Sequence, residues 1–592
     1  MYIQIILKLV DKNPRGWNNY SMKEKILSIF WIYYIISGVY IILLLFIFDA
    51  VSQVYPTLGI FGTITWYISY LYIIIFALVS FFKIVKSASL LKTPFSLITI
   101  IFFITLIFIR LDNPKSLSAE ASIEISCGIN QLTTTPDFGY NQTCMFGYPA
   151  RQYFLPALTT FLFGRNIVSI NSGNAIYFIL GLIIFSSGIL ELYSHSFKGD
   201  LINSILIFSF MHLFYFNHFL FIFEQGIYPL SFALMLTGLA LYYFKSRKFF
   251  ILVPFGILLY YLIFSYTTSL SLFILALGGI LYSLITDVLP ALKSRVFSKG
   301  GRHTSIKRSH KIFLFLLFLI TSASFLISLA FRNDLNLVDN STRTGSQLVN
   351  DLELTFKYIM HPSNNKYFIS PILTYPIAGV IILSLLFIFG KTAFFISVWS
   401  GITLIVSVIS QGYYYYDIDF RPHRALVIFP ILFGLIAYLA LKAKSKYINL
   451  VLFVLFILIS ASGAYYNLRF YKYKAINEHY PFIAWMQERI DFTKHKGEYV
   501  YLTYDAYNYY NLISLYDDTL YFTPEITTVV DREKVYLGND CMPTDQFYKG
   551  FIVVPDTHQC YLVFNKQADS FNKIGDFKLD HEENYLGVFR KI

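Results

Sequence analysis

The chain has 592 residues, of which 56% are hydrophobic and 14% are charged, and its mean hydropathy is +0.56. Soluble domains contain about 25% charged residues, so this composition excludes a soluble globular protein and indicates an integral membrane protein. The formal net charge is +12, although the last 126 residues hold 14 Lys and Arg against 18 Asp and Glu. The positive excess therefore lies in the membrane half, where it is typical of topology and anionic-lipid contact and does not indicate nucleic-acid binding.

The predicted membrane spans occupy the first 466 residues. Apolar runs recur there, and each is about long enough to cross a hydrocarbon core of ~30 Å as a helix. We therefore predict an all-α polytopic bundle of about thirteen spanning helices over residues 1–466. The predicted spans lie near 26–48, 60–82, 93–110, 174–193, 201–217, 226–244, 249–266, 269–286, 312–331, 370–390, 392–410, 424–441 and 447–465.

The orientation follows from the distribution of Lys and Arg. With the N-terminus in the cytoplasm, the inner segments hold 23 Lys and Arg residues, whereas the outer loops before residue 467 hold about ten. This is the bias that the positive-inside rule describes. An odd number of spans then places residues 467–592 outside, after a long outer loop at 111–173 with an interfacial helix near Arg151–Gly164. The inner clusters are 1–25, 83–92, 245–248, 287–311 and 442–446.

The outer tail, residues 467–592, is predicted to be a small α/β domain. The segment Tyr480–Ile490 has the apolar period of a helix, and four other segments read as strands. These four predicted strands are Glu498–Tyr504, Phe551–Pro555, Cys560–Phe564 and Tyr585–Phe589.

All four cysteines lie on the outer side of this map. Cys127 and Cys144 share the loop after the third span, and Cys541 and Cys560 share the tail. An even number of cysteines in an oxidising compartment predicts two disulfides, Cys127–Cys144 and Cys541–Cys560. The alternative is four free thiols in a reducing or anaerobic niche.

Ionisable residues are nearly absent from the predicted spans and collect instead at the outer membrane edge. Asp112 stands at the mouth of the third span and is followed by Glu120 and Glu124. A carboxylate fixed just above the bilayer can deprotonate an acceptor hydroxyl or amine. The alternative interpretation is a helix end that carries ordinary interfacial charges.

A second polar cluster lies between the eleventh and twelfth spans. It contains Asp417, Asp419, Arg421, His423 and Arg424. Two interfacial arginines suit a lipid-linked phosphate, because each guanidinium can bind phosphate oxygens in a bidentate way. Alternatively, the arginines pair with the two aspartates or anchor the helix to lipid headgroups.

A third polar position is Glu224, in the tight outer turn between the fifth and sixth spans. It is a candidate contact for a substrate, and the alternative is that it caps the following helix. The sequence contains no Gly-rich phosphate loop, no zinc-type Cys/His spacing and no nucleophile elbow. No cofactor is therefore indicated; a divalent metal is left open without a motif to support it.

The order of these elements carries a family resemblance. A span ends in Asp112, an outer loop follows, and the segments Gly147–Leu158 (GYPARQYFLPAL) and Leu162–Asn166 (LFGRN) precede the next span. This order resembles the GT-C superfamily of membrane glycosyltransferases, which includes the protein O-mannosyltransferases and the lipid A aminoarabinose transferase type. The segment Arg421–Arg424, before a Pro-containing span, is similar as well. The resemblance covers roughly residues 93–440.

The resemblance implies an inverting transfer of a sugar from a polyprenyl-phosphate donor to an outer-face acceptor, which is a glycan, a lipid or a protein. By match of position, Asp112 is the expected catalytic base. Asp49 is a rival base, because the family's Asp usually follows the first span. Asn113 stands where the family often has an acidic partner, which argues against metal binding. Expected donor-phosphate ligands are Arg421, His423 and Arg424, and expected donor or acceptor contacts are Arg151, Glu224 and Asp419.

Two other functions are alternatives to a transferase. An envelope polysaccharide polymerase or ligase is also multi-spanning, and it would depend on Arg and His in the outer loops more than on Asp. A non-enzymatic transporter would need a central path through the bundle, usually marked by mid-span charges. The partners expected for the transferase are membrane lipids, a polyprenyl-phosphate-linked sugar and the acceptor, with no nucleic acid.

Overall fold

The computed structural model describes a helical bundle in the first part of the chain and a β-sheet in the last part. The bundle residues that it describes are 22–52, 54–109, 150–164, 167–210, 227–264, 272–281, 308–331 and 427–442. A few isolated positions between these segments and five short strands complete the described residues.

The helices are numbered in chain order within these residues. They are α1 (Met22–Ser52), α2 (Gly59–Ser89), α3 (Pro94–Phe108), α4 (Phe154–Phe163), α5 (Ile167–Leu192), α6 (Phe197–Ser209), α7 (Ile227–Ser246), α8 (Leu252–Ile263), α9 (Leu272–Leu281), α10 (Arg308–Phe331) and α11 (Ile428–Lys442). Three 3₁₀ turns, Pro56–Leu58, Ala150–Tyr153 and Phe249–Ile251, immediately precede α2, α4 and α8.

All of these helices except α4 overlap a span predicted from the sequence. Four of them are long and apolar enough to cross a membrane on their own: α1, α2, α5 and α10. This finding confirms a membrane protein with a helical bundle. The predicted spans at 370–390 and 392–410 lie outside the described residues, so the total of about thirteen stays a prediction. Helix α4 lies in the predicted interfacial stretch, and its last three residues, Phe161–Phe163, are exposed.

Helices α5 and α7 pack against each other at glycines. A Cβ added to Gly188 would lie 2.2 Å from the carbonyl oxygen of Gly238, and a Cβ added to Gly238 would lie 2.4 Å from the carbonyl oxygen of Ile184. Small residues let helix backbones approach closely in a membrane, where packing replaces the hydrophobic effect as the force that holds helices together. The two glycines thus set the spacing of the central helix pair.

Gly238→Ala is expected to destabilise the bundle, because its methyl group meets backbone atoms that cannot rotate away. Overpacking of this kind costs about 1–3 kcal/mol. Gly279→Ala in α9 is the matched control, since a Cβ there meets nothing within 4 Å. The measurement is the temperature at which half of the detergent-purified protein stays monodisperse. Equal temperatures for the two variants would contradict close α5–α7 packing.

Helix ends that the topology map places in the cytoplasm lie together. Lys83 at the end of α2 forms an ion pair with Glu191 at the end of α5, and His195 Nε2 lies 3.4 Å from the same carboxylate oxygen. Lys198 at the start of α6 donates from Nζ to the carbonyl oxygen of Ala440 in α11 at 2.8 Å. The end of α2 thus lies beside the end of α5, and the start of α6 lies beside the end of α11. The predicted map places all four of these helix ends on one side of the membrane. The side of the membrane on which they lie stays a prediction.

The described strands of the tail form one five-stranded sheet with the order β2-β1-β3-β5-β4. The pair β1–β3 is parallel and the other three pairs are antiparallel. Four strands lie within or overlap the four predicted segments, whereas β4 was not predicted. The predicted helix Tyr480–Ile490 lies outside the described residues, so the α/β assignment of residues 467–592 stays a prediction. The strands are β1 (Tyr499–Leu502), β2 (Phe551–Ile552), β3 (Cys560–Asn565), β4 (Phe577–Glu583) and β5 (Leu586–Lys591).

The predicted disulfides receive no support from the described residues. Cys560 begins β3, but Cys127, Cys144 and Cys541 all lie outside the part of the chain that the structure describes. The pairs Cys127–Cys144 and Cys541–Cys560 therefore stay predictions.

Candidate active site

A buried ion pair joins the end of α1 to the segment before α4. Arg151, in the 3₁₀ turn Ala150–Tyr153, donates from Nη1 to Oδ1 of Asp49 at 2.8 Å. Each of the two side chains is only 2% exposed. The guanidinium carbon of Arg151 also lies 3.9 Å from the ring centroid of Phe264, directly after α8. These three residues, called the outer site below, connect three segments that the topology map places outside.

The burial of this pair decides its role. A buried charge is tolerated only when it is paired, because removal from water costs several kcal/mol per ion. Asp49 and Arg151 are 102 positions apart in the chain, so their contact fixes the long outer loop to the first helix. A catalytic base must reach the proton that it removes, and Asp49 is instead buried against its arginine. The structure thus shows Asp49 as the partner of Arg151, and its role as a rival base stays a prediction.

The position just before Asp112 is fixed close to α5. Leu111 is 7% exposed, and its carbonyl oxygen accepts a 2.8 Å hydrogen bond from Nδ2 of Asn171 in the second turn of α5. Nearby on the same helix, a Cβ added to Gly173 would lie 2.4 Å from the backbone of Pro156 in α4. Leu111, the residue before Asp112, is thus anchored to α5 near the α4–α5 corner.

A layer of aromatic side chains lies around the residues next to the ion pair. The hydroxyl of Tyr177 donates to the carbonyl oxygen of Gln152 at 2.8 Å and lies 2.6 Å from the hydroxyl of Tyr70. The ring of Trp66 stacks on Tyr261 at 4.7 Å between centroids and on Phe154 at 5.5 Å. Rings of this size, held at both faces and by their hydroxyl groups, give the Ala150–Tyr153 turn a rigid support.

Gln152 adds unsatisfied polar atoms next to the outer site. Its side chain is 2% exposed, and neither its Oε1 nor its Nε2 has a hydrogen-bond partner among the described residues. Burying an amide without partners costs about 1–3 kcal/mol, so this group needs a partner, such as a water or a ligand. One amide offers both a donor and an acceptor, which is the pattern needed to bind a sugar hydroxyl.

The structure brings together two of the residues that the sequence singled out. Asp49 and Arg151 were expected as a rival base and as a substrate contact, and they form the pair described above. Their pairing was not predicted, and neither were the contributions of Gln152 and Phe264. The sequence contains a single indication for Asp49 and Arg151, which is that each is an isolated charged residue beside an apolar segment. The remaining candidates lie outside the described residues: Asp112, Glu120, Glu124, Glu224, Asp419, Arg421, His423 and Arg424.

Metal binding finds no site in the part of the chain that the structure describes. No group of three or more His, Cys, Asp or Glu side chains lies together there in a way that could hold an ion. The carboxylate of Asp49 already accepts from Arg151.

Two solved structures of one protein are similar in fold to this chain. They are structures of ArnT from Cupriavidus metallidurans, one bound to undecaprenyl phosphate and one in the apo state. The TM-scores are 0.47 and 0.48, the identity is 10%, and each match covers 84% of this chain and 98% of the ArnT chain. No protein-family model and no curated protein sequence matches the chain. At these TM-scores the likeness transfers no residue role.

Proposed function

We propose that this protein is a membrane glycosyltransferase of the GT-C type. It transfers one sugar from a polyprenyl phosphate to an acceptor on the outer face of the membrane. The acceptor heteroatom attacks the anomeric carbon, its proton moves to Asp112, and the polyprenyl phosphate leaves with the electrons of the broken glycosyl–phosphate bond. A single displacement inverts the anomeric configuration. Arg421 and Arg424 bind the phosphate as its negative charge increases.

The observation that carries this proposal is the buried Asp49–Arg151 ion pair. Arg151 belongs to the segment Gly147–Leu158, which carries the family resemblance, and the pair anchors that segment in the bundle. The Asn171–Leu111 hydrogen bond fixes the residue before Asp112 at the same corner. The motif residue Arg151 and the residue before the proposed base are thus both attached to helices of the bundle, which supports a positioned site.

The packing below the outer site favours a transferase over a transporter. In the described bundle, Trp66, Tyr70, Tyr177 and Tyr261 are buried side by side and fill the space between α2, α5 and α8. A carrier needs a polar path between the two sides of the membrane. Within this part of the bundle the interior is aromatic and close-packed, which suits a site that works from one face.

The transferase proposal is tested with purified protein in liposomes. Undecaprenyl phosphates that carry different radiolabelled sugars are supplied with membrane extract as the acceptor source. The expected result is the release of free undecaprenyl phosphate together with label in one glycan, lipid or protein fraction. Deletion of the gene should remove the same product from cells. Uptake of label into the liposome lumen without cleavage of the donor would instead establish a transporter.

Arg421→Ala is expected to weaken donor binding. The variant removes a charge-assisted contact to phosphate, which contributes about 1.5–3 kcal/mol, so KM for the donor should rise by about 10- to 100-fold. Arg343→Ala, in the predicted outer loop 332–369, is the matched control and should leave KM unchanged. The measurement is initial rate against donor concentration at fixed acceptor. A fall in kcat with unchanged KM would assign Arg421 a role other than donor binding.

A further inference from the structure

An apolar cavity of about 360 Å³ lies between α7, α8, α9, α10 and α11. Its walls are aliphatic and aromatic side chains, among them Leu236, Ala240, Phe255, Leu314 and Tyr438. The volume falls in the range of small-molecule sites. Protein interiors otherwise contain few voids larger than a water molecule, and apolar cavities of this kind do not hold water. An apolar ligand is the occupant that fits these walls.

Small residues keep this space open. Ala240 and Ala276 line the cavity together with Gly279, and a Cβ added to Gly279 would meet nothing within 4 Å. Ala240 is exposed and borders the cavity. A side chain at Gly279 would therefore begin in open space.

A cationic group lies at one end of the cavity. Arg247 belongs to the lining, and its guanidinium carbon lies 5.6 Å and 5.3 Å from the ring centroids of Tyr243 and Phe244. Among the described residues, no carboxylate forms an ion pair with Arg247. Lys245 and Lys248 flank it, and all three are exposed. In the predicted topology this cluster faces the cytoplasmic leaflet, whose surface is rich in anionic lipids.

We propose that the cavity binds one acyl chain of an anionic phospholipid from the cytoplasmic leaflet, with its phosphate on Arg247. The combination of an apolar chain site and an arginine at headgroup depth matches a phospholipid along its length. This site lies at the C-terminal end of α7, whereas the outer site is built from segments that the map places on the opposite side. The inference is therefore independent of the proposed transferase activity.

The test is native mass spectrometry of the purified full-length protein with added lipid. The probes are dioleoyl-phosphatidylglycerol, dioleoyl-phosphatidylcholine and undecaprenyl phosphate. Gly279→Phe fills the cavity, and Leu281→Phe, on the exposed face of the same helix, is its control. Arg247→Gln removes the charge, and Lys86→Gln, an exposed cation outside the cavity, is its control. Ala240→Leu is a second filling variant for the case that Gly279→Phe does not fold.

The wild type should bind phosphatidylglycerol at least about fivefold more tightly than phosphatidylcholine, which is the effect of one interfacial arginine. The filling variants should lose at least about tenfold in phosphatidylglycerol affinity, which corresponds to two displaced methylene groups. Arg247→Gln should remove the preference for the anionic lipid, and both controls should bind as the wild type does. Unchanged phosphatidylglycerol binding in the filling variants, or a larger loss of undecaprenyl phosphate affinity than of phosphatidylglycerol affinity in those variants, would overturn the proposal.

Discussion

Asp112→Asn is expected to lower the rate of sugar transfer by about 10²–10⁴-fold, which is the usual loss when a positioned general base is removed. The amide keeps the shape of the carboxylate but cannot take the acceptor's proton. Folding and donor binding should persist, so KM for the donor and the melting temperature should stay near their wild-type values. Single-turnover kinetics with labelled donor separate the chemical step from binding.

Two control variants make this result specific. Glu120→Gln and Glu124→Gln remove the other carboxylates of the same loop and should retain most of the activity. Asp49→Asn should act on stability, because Asp49 is buried against Arg151. If Glu124→Gln abolishes transfer and Asp112→Asn does not, the base is Glu124 and the residue match to the family motif is wrong at this position.

Arg151→Met is expected to destabilise the bundle by about 3–5 kcal/mol, because it leaves the carboxylate of Asp49 buried without its partner. Activity should fall together with the amount of folded protein, since the segment Gly147–Leu158 loses its anchor. Lys86→Met, which removes an exposed cation at the end of α2, is the control and should change stability by no more than about 0.5 kcal/mol.

A double variant separates the ion pair from general packing. Asp49→Leu combined with Arg151→Met replaces both charges by apolar groups and should recover most of the lost stability, because no buried charge is left unpaired. The measurement is thermal unfolding of all three variants in the same detergent. Additive losses in the double variant would show that the two side chains do not act as a pair.

The sequence alone determined the elements whose signal is local. An apolar run that matches the membrane thickness predicts a span, and ten of the eleven described helices overlap predicted spans. Residue composition and the alternation of apolar and polar residues over a short segment predict a strand, and four of the five strands lie at predicted segments. The exception, Phe577–Glu583, is an edge strand of the sheet. Edge strands tolerate many charged residues, so its polar sequence gave no strand signal.

The tertiary structure decided which helices meet and which charges pair. Asp49 pairs with Arg151, which lies 102 positions later in the chain, and Lys83 pairs with Glu191, which lies 108 positions later. Nothing in the flanking residues identifies these partners, because in a membrane every helix is apolar around most of its surface and the pattern does not specify which face turns inward. That choice is made by close packing, such as the contact of Gly188 with Gly238, and by the cost of leaving a buried charge unpaired. Both depend on the whole bundle, and only the folded chain reveals them.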